Sequence, residues 1–397
     1  MAERMVYLDY NATTPLRPEV KELMIQAMDV YANASSMHEA GRKAKAEIEK
    51  ARAAVAALID AGDPSTVFFT SGGSESNNTV FMTMYAVAKT GSRKKIITTA
   101  IEHPCVLNSA THLKEEGLDV VFLPVDDVGK IDMDVYRREL TDDTLLVSIM
   151  TANNEIGTIQ DIELITKMAK AKGAYVHSDA VQAAGKIPVS VQEWGVDYLT
   201  LSCHKIYGPK GVGALYVRKG APIEPLIRGG HQERGVRAGT YNNLGIIGFG
   251  KAAELAFAEV DEYGRNVRRL RNILRDDIVE RIPYVRINGH PTDVLPNTLD
   301  VSFPGAEGES ILLSLDLEGI EVSTGSACAS GSLEPSHVLM ATGVGPELAH
   351  GSIRFSLGKY TTEEDVRYVV EKLPPIIARL RRMSTVSPEE AVGLTRR

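Results

Sequence analysis

The sequence predicts an α/β fold in which a mainly parallel sheet is covered by helices on both faces. Apolar, β-branched runs recur through the first two thirds of the chain, and segments with helical spacing of apolar residues separate several of them. Strands and helices in alternation are typical of a parallel sheet, because each parallel connection must cross over the sheet. A shorter mixture of strands and helices follows and predicts a second, smaller α+β domain.

The predicted strands of the large sheet are short and bounded by turn residues. They are VFFT (67–70), KKIITTA (94–100), VVFLPV (120–125), LLVSIM (145–150), AYVHSDA (174–180), YLTLSC (198–203) and GALYVR (213–218). Helical spacing is present at 44–59 and 161–173. We therefore assign residues 15–255 to a large α/β domain.

The last third of the chain has a different pattern. A long charged helix is predicted over 251–282, and the strands NTLDVSF and SIRFSLG come after it. The final helix is predicted to begin after Thr362, because this residue and the acidic residues behind it form an N-cap. Residues 1–14 and 256–397 are assigned to the smaller α+β domain.

Composition excludes several classes of function. The 397 residues carry a formal net charge of −8, whereas nucleic-acid binding depends on an excess of Lys and Arg, so no nucleic-acid partner is expected. No stretch is apolar enough for a signal peptide or a membrane span, and we predict a cytoplasmic protein with no membrane partner. The three cysteines, Cys105, Cys203 and Cys328, are too few and too scattered for a disulfide framework.

Polar side chains follow the predicted strands directly. Ligands of open α/β sheets bind outside the carboxyl ends of the strands, so a site is expected there. The turn SGGSESNN (71–78) leads into a helix and offers backbone N–H groups and the Ser74 hydroxyl to an anion. It lacks the lysine of a P-loop, which disfavours ATP. His103, Asn153 and Asn154 follow the next strands in the same way.

Two further strands end in a carboxylate and in a lysine. Asp179 and Gln182 follow AYVHSDA, and Ser202, His204 and Lys205 follow YLTLSC. One explanation is a salt bridge between Asp179 and a nearby lysine, because a buried carboxylate is costly unless it meets a cation or hydrogen bonds. The other is pyridoxal 5'-phosphate (PLP), which needs a lysine for its Schiff base, a carboxylate for its pyridinium nitrogen and an anion pocket for its phosphate. The convergence of all these groups favours PLP.

Over nearly its whole length the chain resembles the cysteine desulfurase family, and within it the NifS type. The motifs that carry the resemblance are YLDYNATTP, TSGGSESNN, EHP, NNEIG, HSDAVQAAGK, SCHKIYGPKGVGALY, RGGHQERGVRAGT, GSACASGSLEPSHVLMA and IRFSLG. The resemblance implies the fold of the class V aminotransferases, which are homodimeric fold-type I PLP enzymes. No metal site is expected.

The resemblance also implies roles for individual residues. Lys205 matches the Schiff-base lysine, and Asp179 matches the partner of the pyridine nitrogen. Gln182 matches the group that hydrogen-bonds the ring hydroxyl. Residues that match the phosphate pocket are Gly73, Ser74, Ser202, His204 and Thr240, the last acting across the dimer.

Asn154 and His103 match ring contacts, and His103 is also a candidate proton carrier. Arg354 matches the clamp on the substrate carboxylate, a task that suits a planar bidentate donor. Asn33 is assigned to the same clamp, although YANASSMH lacks the Gly and Pro that commonly flank this asparagine in the family. Cys203 stands where the family usually has Gly, and we interpret it as a packing residue.

Cys328 matches the family's nucleophile. Its loop, STGSACASGS (323–332), contains no large side chain and has much backbone freedom. A thiolate that first attacks a bound sulfur and then passes it to another protein must move between two positions. We refer to residues 323–332 as the cysteine loop.

The predicted function is PLP-dependent cysteine desulfurase, which converts L-cysteine to L-alanine and holds the sulfur on Cys328 as a persulfide. Arg354 is predicted to hold the substrate and Lys205 to take the α-proton. An iron-sulfur scaffold protein is the predicted sulfur acceptor. The alternatives are a selenocysteine lyase or another PLP lyase on the same scaffold, and a catalytically silent sulfur- or phosphate-ligand binding module.

Overall fold

The computed structural model describes residues 4–324, 334–385 and 387–389. The strands are β1 (Val6–Tyr7), β2 (Val67–Thr70), β3 (Lys95–Thr99), β4 (Asp119–Leu123), β5 (Thr144–Ser148), β6 (Tyr175–Asp179), β7 (Tyr198–Ser202), β8 (Gly213–Val217), β9 (Arg286–Asn288), β10 (Thr298–Ser302), β11 (Ile320–Glu321) and β12 (Ser352–Ser356). The α-helices are α1 (Pro18–Ala27), α2 (Glu39–Leu58), α3 (Gly73–Thr90), α4 (Pro104–Glu115), α5 (Met133–Glu139), α6 (Ile162–Ala171), α7 (Val191–Trp194), α8 (Asn243–Arg281), α9 (Gly308–Asp316), α10 (His337–Ala341), α11 (Pro346–His350) and α12 (Glu363–Met383).

A seven-stranded sheet forms the centre of the fold, in the order β2-β8-β7-β6-β5-β3-β4. Five adjacent strands, β7, β6, β5, β3 and β4, run parallel to one another. Strand β8 runs antiparallel to both of its neighbours, β2 and β7. All seven predicted strands are present, and the predicted α/β fold class is confirmed.

Apolar side chains cover both faces of this sheet. Along β2, Phe68 packs with α3 and α4 on one face, and Phe69 packs with α2 and α8 on the other. Successive residues of a strand point to opposite faces, so a sheet buried on both sides needs consecutive apolar residues. Every residue of β5, β7 and β8 is buried accordingly.

A second apolar cluster surrounds a three-stranded antiparallel sheet of order β12-β10-β9. Helices α9 and α12 and the second half of α8 pack against it, together with Leu8 and Tyr10 from the beginning of the chain. Helix α12 begins at the predicted place, where Thr362 and Asp365 form a reciprocal capping box. The division into domains at residues 15 and 255 stays a prediction.

Helix α8 differs from its prediction, because it begins at Asn243 and not at residue 251. The missed turns are rich in glycine, which has low helix propensity. The packing explains them: a Cβ on Gly250 would lie 2.5 Å from Ala51 Cβ, so glycine allows α8 to cross α2 closely. Asn242 caps the new start by accepting the Gly245 N–H at 3.0 Å. In the described part of the chain, no helix has the length and apolar character needed to cross a membrane.

Candidate active site

A pocket of about 280 Å³ lies at the carboxyl ends of the parallel strands. It gathers residues that are widely separated in the chain, as expected for an open α/β sheet. The predicted site residues that line it are Gly73, Ser74, His103, Asn154, Asp179, Gln182, Ser202, His204, Lys205 and Arg354. Asn11, Asn77 and Cys105 also line it, and the sequence reasoning assigned none of them a role.

Two of the predicted residues lie elsewhere. Asn33 is exposed in the turn before α2, where its side-chain oxygen accepts the Ser35 N–H at 2.9 Å. Thr240 is exposed and does not line the pocket of its own chain. Cys328 lies outside the described residues. The roles of these three residues stay predictions.

Lys205 reaches the pocket from a short 3-10 turn, Cys203–Lys205, that follows β7. Its Nζ donates to the backbone oxygens of Asn11 and Ala12, at 2.5 and 2.7 Å. The N-terminal segment therefore crosses to the end of the central strand and holds the amine there. Cys203 itself is completely buried in the apolar cluster, in agreement with its interpretation as a packing residue.

Asp179 ends the neighbouring strand β6, and its side chain is held by N–H donors on both oxygens. Asn77 Nδ2 donates to Asp179 Oδ2 at 2.7 Å, and the Val181 backbone N–H donates to Oδ1 at 2.9 Å. Asn77 comes from α3, so one helix and one strand end fix the carboxylate. A carboxylate oriented in this way is suited to accept a hydrogen bond from a protonated ring nitrogen.

His103 caps the N-terminus of α4 and faces the same pocket. Its Nδ1 accepts the Cys105 backbone N–H at 3.2 Å, which places the proton of the neutral ring on Nε2. Burial lowers the pKa of His103 below its ordinary value, and the cation of Lys205 lowers it further, against the opposing effect of Asp179. The ring is therefore held towards its neutral form.

Cys105 lies between His103 and Asn77. Its Sγ is 3.0 Å from His103 Nδ1 and 3.2 Å from Asn77 Nδ2. Burial, reinforced by the negative charge of Asp179, raises the pKa of this thiol to about 12. A thiol that stays protonated is a poor nucleophile, so its position in the pocket does not make it a sulfur acceptor.

The pocket also contains groups that can receive an anion. Gly73 and Ser74 begin α3, and no side chain caps this helix end, which leaves its N–H groups directed at the pocket. His204 Nδ1 lies 3.1 Å from Thr13 Oγ1, and burial lowers the pKa of His204 to about 4. The neutral imidazole and the Ser202 hydroxyl add further polar groups to the pocket.

Arg354 projects from β12 towards the pocket. Its Nη1 donates to the Asn154 backbone oxygen at 3.1 Å, and its Nη2 donates to Asp9 Oδ1 at 2.7 Å. Its Nε is buried and has no hydrogen-bond partner among the described residues. A guanidinium that lines a pocket and is held by two anchors is suited to bind a carboxylate.

Both flanks of the cysteine loop are attached beside this pocket. At its first residue, Ser323 pairs with Arg354 through backbone hydrogen bonds of 2.7 and 3.3 Å. After it, the Ser336 hydroxyl donates to a carboxylate oxygen of Glu155 and accepts the Leu339 N–H at 3.2 Å, which caps α10. The chain therefore enters and leaves the loop next to site residues.

The fold and the pocket define an α/β protein with a small-molecule site that suits PLP. A lysine, an anchored carboxylate and an uncapped helix N-terminus face one cavity, and these are the groups that the amine-reactive aldehyde, the ring nitrogen and the phosphate of PLP require. The described residues contain no cluster of three or more His, Cys, Asp or Glu that could hold a metal ion.

Comparison with known proteins agrees with this description. The family model for class-V aminotransferases matches residues 6–369. The cysteine desulfurase IscS of Dictyoglomus turgidum is 52% identical over 97% of this chain and 97% of its own length. The cysteine desulfurase IscS of Methanosarcina thermophila is 48% identical over 98% of this chain and 95% of its own. The chain belongs to the class-V aminotransferase family.

Solved structures point to a narrower group. A NifS-like protein superimposes with a TM-score of 0.89 at 42% identity, covering 95% of this chain and all of the other. A structure described as SspA in complex with cysteine superimposes with a TM-score of 0.78 at 34% identity, covering 90% of this chain and all of the other. The chain is thus similar to fold-type I PLP enzymes of the cysteine desulfurase group.

Proposed function

We propose that this protein is a PLP-dependent cysteine desulfurase, which converts L-cysteine to L-alanine and supplies sulfur for iron-sulfur cluster assembly. The observation that carries the proposal is that Lys205 and Asp179 line one pocket, at the ends of adjacent strands. The 52% identity to a cysteine desulfurase over nearly the whole chain supports the choice of reaction.

In this proposal the cofactor is bound by the groups that surround the pocket. Lys205 would supply the amine that bonds it, and Asp179 would accept a hydrogen bond from its ring nitrogen. His103, Asn154 and Gln182 line the same pocket and would border the ring. The residues that would receive the phosphate are Gly73, Ser74, Ser202, His204 and, from the second subunit of a homodimer, Thr240. When bound, PLP supplies an electron sink for the negative charge that develops at the substrate α-carbon.

The chain's own residues position the substrate and move its protons. Arg354 binds the carboxylate of L-cysteine, and Asn33 is the second residue assigned to this task. Lys205 takes the α-proton through its amine. His103 carries a proton on Nε2 while its Nδ1 remains occupied by the Cys105 N–H, so this ring can donate from the pocket side.

Sulfur transfer requires a thiolate, and Cys328 is the residue we assign to it. Its Sγ attacks the sulfur of the substrate, an S–S bond forms, and the Cβ–S bond breaks with its electron pair left on the carbon side, where a proton is taken up. The β-carbon becomes the methyl group of L-alanine, and Cys328 keeps the sulfur as a persulfide, so the two products balance without an external oxidant. The attachment of Ser323 and Ser336 beside the pocket supports this role.

The sulfur leaves by exchange with a thiolate of an acceptor, for which we propose an iron-sulfur scaffold protein. A homodimer is part of the proposal, because Thr240 is exposed and does not line the pocket of its own chain. A cytoplasmic location is proposed on the grounds of the sequence.

The test is mass spectrometry of the purified protein after brief exposure to L-cysteine. We expect a 32 Da adduct, the mass of one sulfur atom, on the peptide that contains Cys328, together with release of L-alanine. Cys328→Ala should abolish both, and Cys203→Ala should abolish neither. Continued cysteine turnover by Cys328→Ala would instead indicate a selenocysteine lyase or another lyase. A protein that stays colourless after addition of PLP would be a binding module.

A further inference from the structure

Lys186 is a buried lysine directly behind the active-site pocket. It is 3% exposed, and its Nζ donates to two neutral side-chain amides, Gln182 Oε1 at 2.5 Å and Asn11 Oδ1 at 3.1 Å. Burial of an amine against neutral oxygens is costly compared with leaving it in water. Gln182 and Asn11 both line the pocket, so the structure places this amine where it can act on the site.

The two hydrogen bonds of Lys186 do not depend on its charge. Burial, with help from the nearby cations of Lys205 and Arg354, lowers the pKa of Lys186 well below its ordinary value. An ammonium group has three N–H bonds and a neutral amine has two, and only two acceptors need to be satisfied. Both forms can therefore serve both amide oxygens.

These contacts decide which way the Gln182 amide points. Because Lys186 presents N–H groups, it selects the Oε1 side, and the Nε2 side is turned away from it. One N–H of Nε2 donates to the Asn11 backbone oxygen at 2.9 Å. The second N–H is left for the pocket that Gln182 lines. Without Lys186, Oε1 would lose its donor, and only the Nε2 contact to the Asn11 backbone would hold the amide in this orientation.

Asn11 makes this arrangement rigid. Its side-chain oxygen accepts from Lys186 and, at 2.9 Å, from Asn297 Nδ2. Its side-chain nitrogen donates to the Asn154 backbone oxygen at 3.1 Å and to Thr298 Oγ1 at 2.8 Å. All four hydrogen-bonding positions of the amide are thus used, so Asn11 cannot rotate to compensate for a change at Lys186.

We propose, on the basis of the function proposed above, that Lys186 is a positioning residue that fixes Gln182 with an N–H towards the ring oxygen of bound PLP. Lys186 does not line the pocket itself. It acts through Gln182, because an amide that presents its oxygen to the ring oxygen would repel it.

The experiment measures the affinity of the apoprotein for PLP through quenching of the single tryptophan, Trp194. In Lys186→Met, which keeps the length of the side chain and removes the donors, the dissociation constant should rise about three- to tenfold, the cost of one poorly made hydrogen bond. Lys186→Gln keeps an N–H donor and should recover most of the affinity. Lys167→Met, an exposed lysine on α6, is the matched control and should bind as the parent protein does.

A double-mutant cycle separates positioning from a general structural role. In a Gln182→Ala background, Lys186→Met should change the dissociation constant by less than about twofold, because the group it orients is absent. An equal loss in both backgrounds, or unchanged affinity in Lys186→Met, would overturn the proposal. Lys186→Ala replaces Lys186→Met if the thioether prevents folding, as judged by thermal unfolding of the apoprotein. PLP binding and persulfide formation by the parent protein test the proposed function separately.

Discussion

Arg354 donates from Nη2 to Asp9 Oδ1 over 2.7 Å, so a carboxylate from the N-terminal segment holds the guanidinium at the edge of the pocket. The side chain of Arg354 is 3% exposed and that of Asp9 is 20% exposed. The Nη1 contact to the Asn154 backbone fixes the second arm of the fork. These two anchors leave the guanidinium little freedom to rotate, and a planar fork held in this way can receive a carboxylate in one orientation.

Arg354→Lys should therefore weaken substrate binding although it keeps the positive charge. A lysine cannot reach Asp9, the Asn154 backbone and a substrate carboxylate with one nitrogen. We expect KM for L-cysteine to rise about 10- to 100-fold, equivalent to about 1.5–3 kcal/mol for a charged hydrogen bond, with a smaller change in kcat. Steady-state measurement of alanine release provides both values.

The matched control is Arg367→Lys, which changes an exposed arginine that pairs with Glu363 on the surface of α12. Its KM should equal that of the parent protein. If Arg354→Lys left KM unchanged, Arg354 would not be the carboxylate clamp, and its buried contacts would be structural only.

Close packing between Cys203 and Gly208 leads to a prediction about stability. A Cβ added at Gly208 would lie 2.0 Å from Cys203 Sγ and 3.0 Å from Ala252 Cβ. Gly208→Ala should therefore destabilise the protein by about 1–3 kcal/mol through overpacking, measured by urea unfolding. Gly62→Ala is the control, because its nearest neighbours lie at an ordinary 3.8 Å.

Removal of the sulfur should relieve this clash. In the double variant Cys203→Ala/Gly208→Ala, the loss of stability should be smaller than the sum of the two single losses, because the methyl group occupies the space that the sulfur leaves. Additive losses would show that the clash is taken up elsewhere in the core.

Local patterns in the sequence were sufficient for the elements that depend on local chemistry. The β-branched runs end within two residues of the observed strand ends, and Thr362 caps α12 because its cap needs only the residues that follow it. The positions after the strands also indicated most of the pocket, since the carboxyl ends of parallel strands must meet at one edge. His103, Asp179 and Lys205 were found in this way.

Contacts between distant segments had no such local signal. The Asn77–Asp179 bond joins residues 102 positions apart, and the contact of Asn11 with Lys205 spans 194 positions. Asparagine in a turn or at the start of a helix has many ordinary explanations, so neither residue stands out before the chain is folded. Cys105 could have been found more easily from the sequence, because it comes two positions after the helix cap His103 and therefore lies near that cap in space.

The glycine-rich start of α8 shows the converse error. The predicted start at residue 251 left this glycine-rich turn out of the helix, but the close crossing of α2 and α8 at Gly250 depends on the absence of a side chain. Tertiary packing overrode local propensity there. Such a crossing cannot be predicted until the partner helix has been placed.

The carboxyl group of Glu155, which contacts Ser336 at the flank of the cysteine loop, makes the stability of the protein depend on pH. Burial raises the pKa of this carboxyl from its ordinary 4.5 to about 8, against the opposing effects of the Ser336 hydroxyl and the Arg354 cation. The folded protein therefore binds a proton at Glu155 more tightly than the unfolded chain does. This contribution to stability is complete below about pH 4.5 and is lost as pH rises to about 8.

Glu155→Gln should remove this dependence while keeping the shape of the side chain. Plotted against pH, the unfolding free energy of the parent minus that of Glu155→Gln should fall between pH 4.5 and 8, by up to about 1.4 kcal/mol per pH unit. Urea unfolding at pH 5, 6, 7 and 8 measures it. Glu163→Gln, an exposed residue of α6, removes the same charge and should give a flat difference. A flat difference for Glu155→Gln as well would mean that water reaches this carboxyl and that the Ser336 anchor is insensitive to pH.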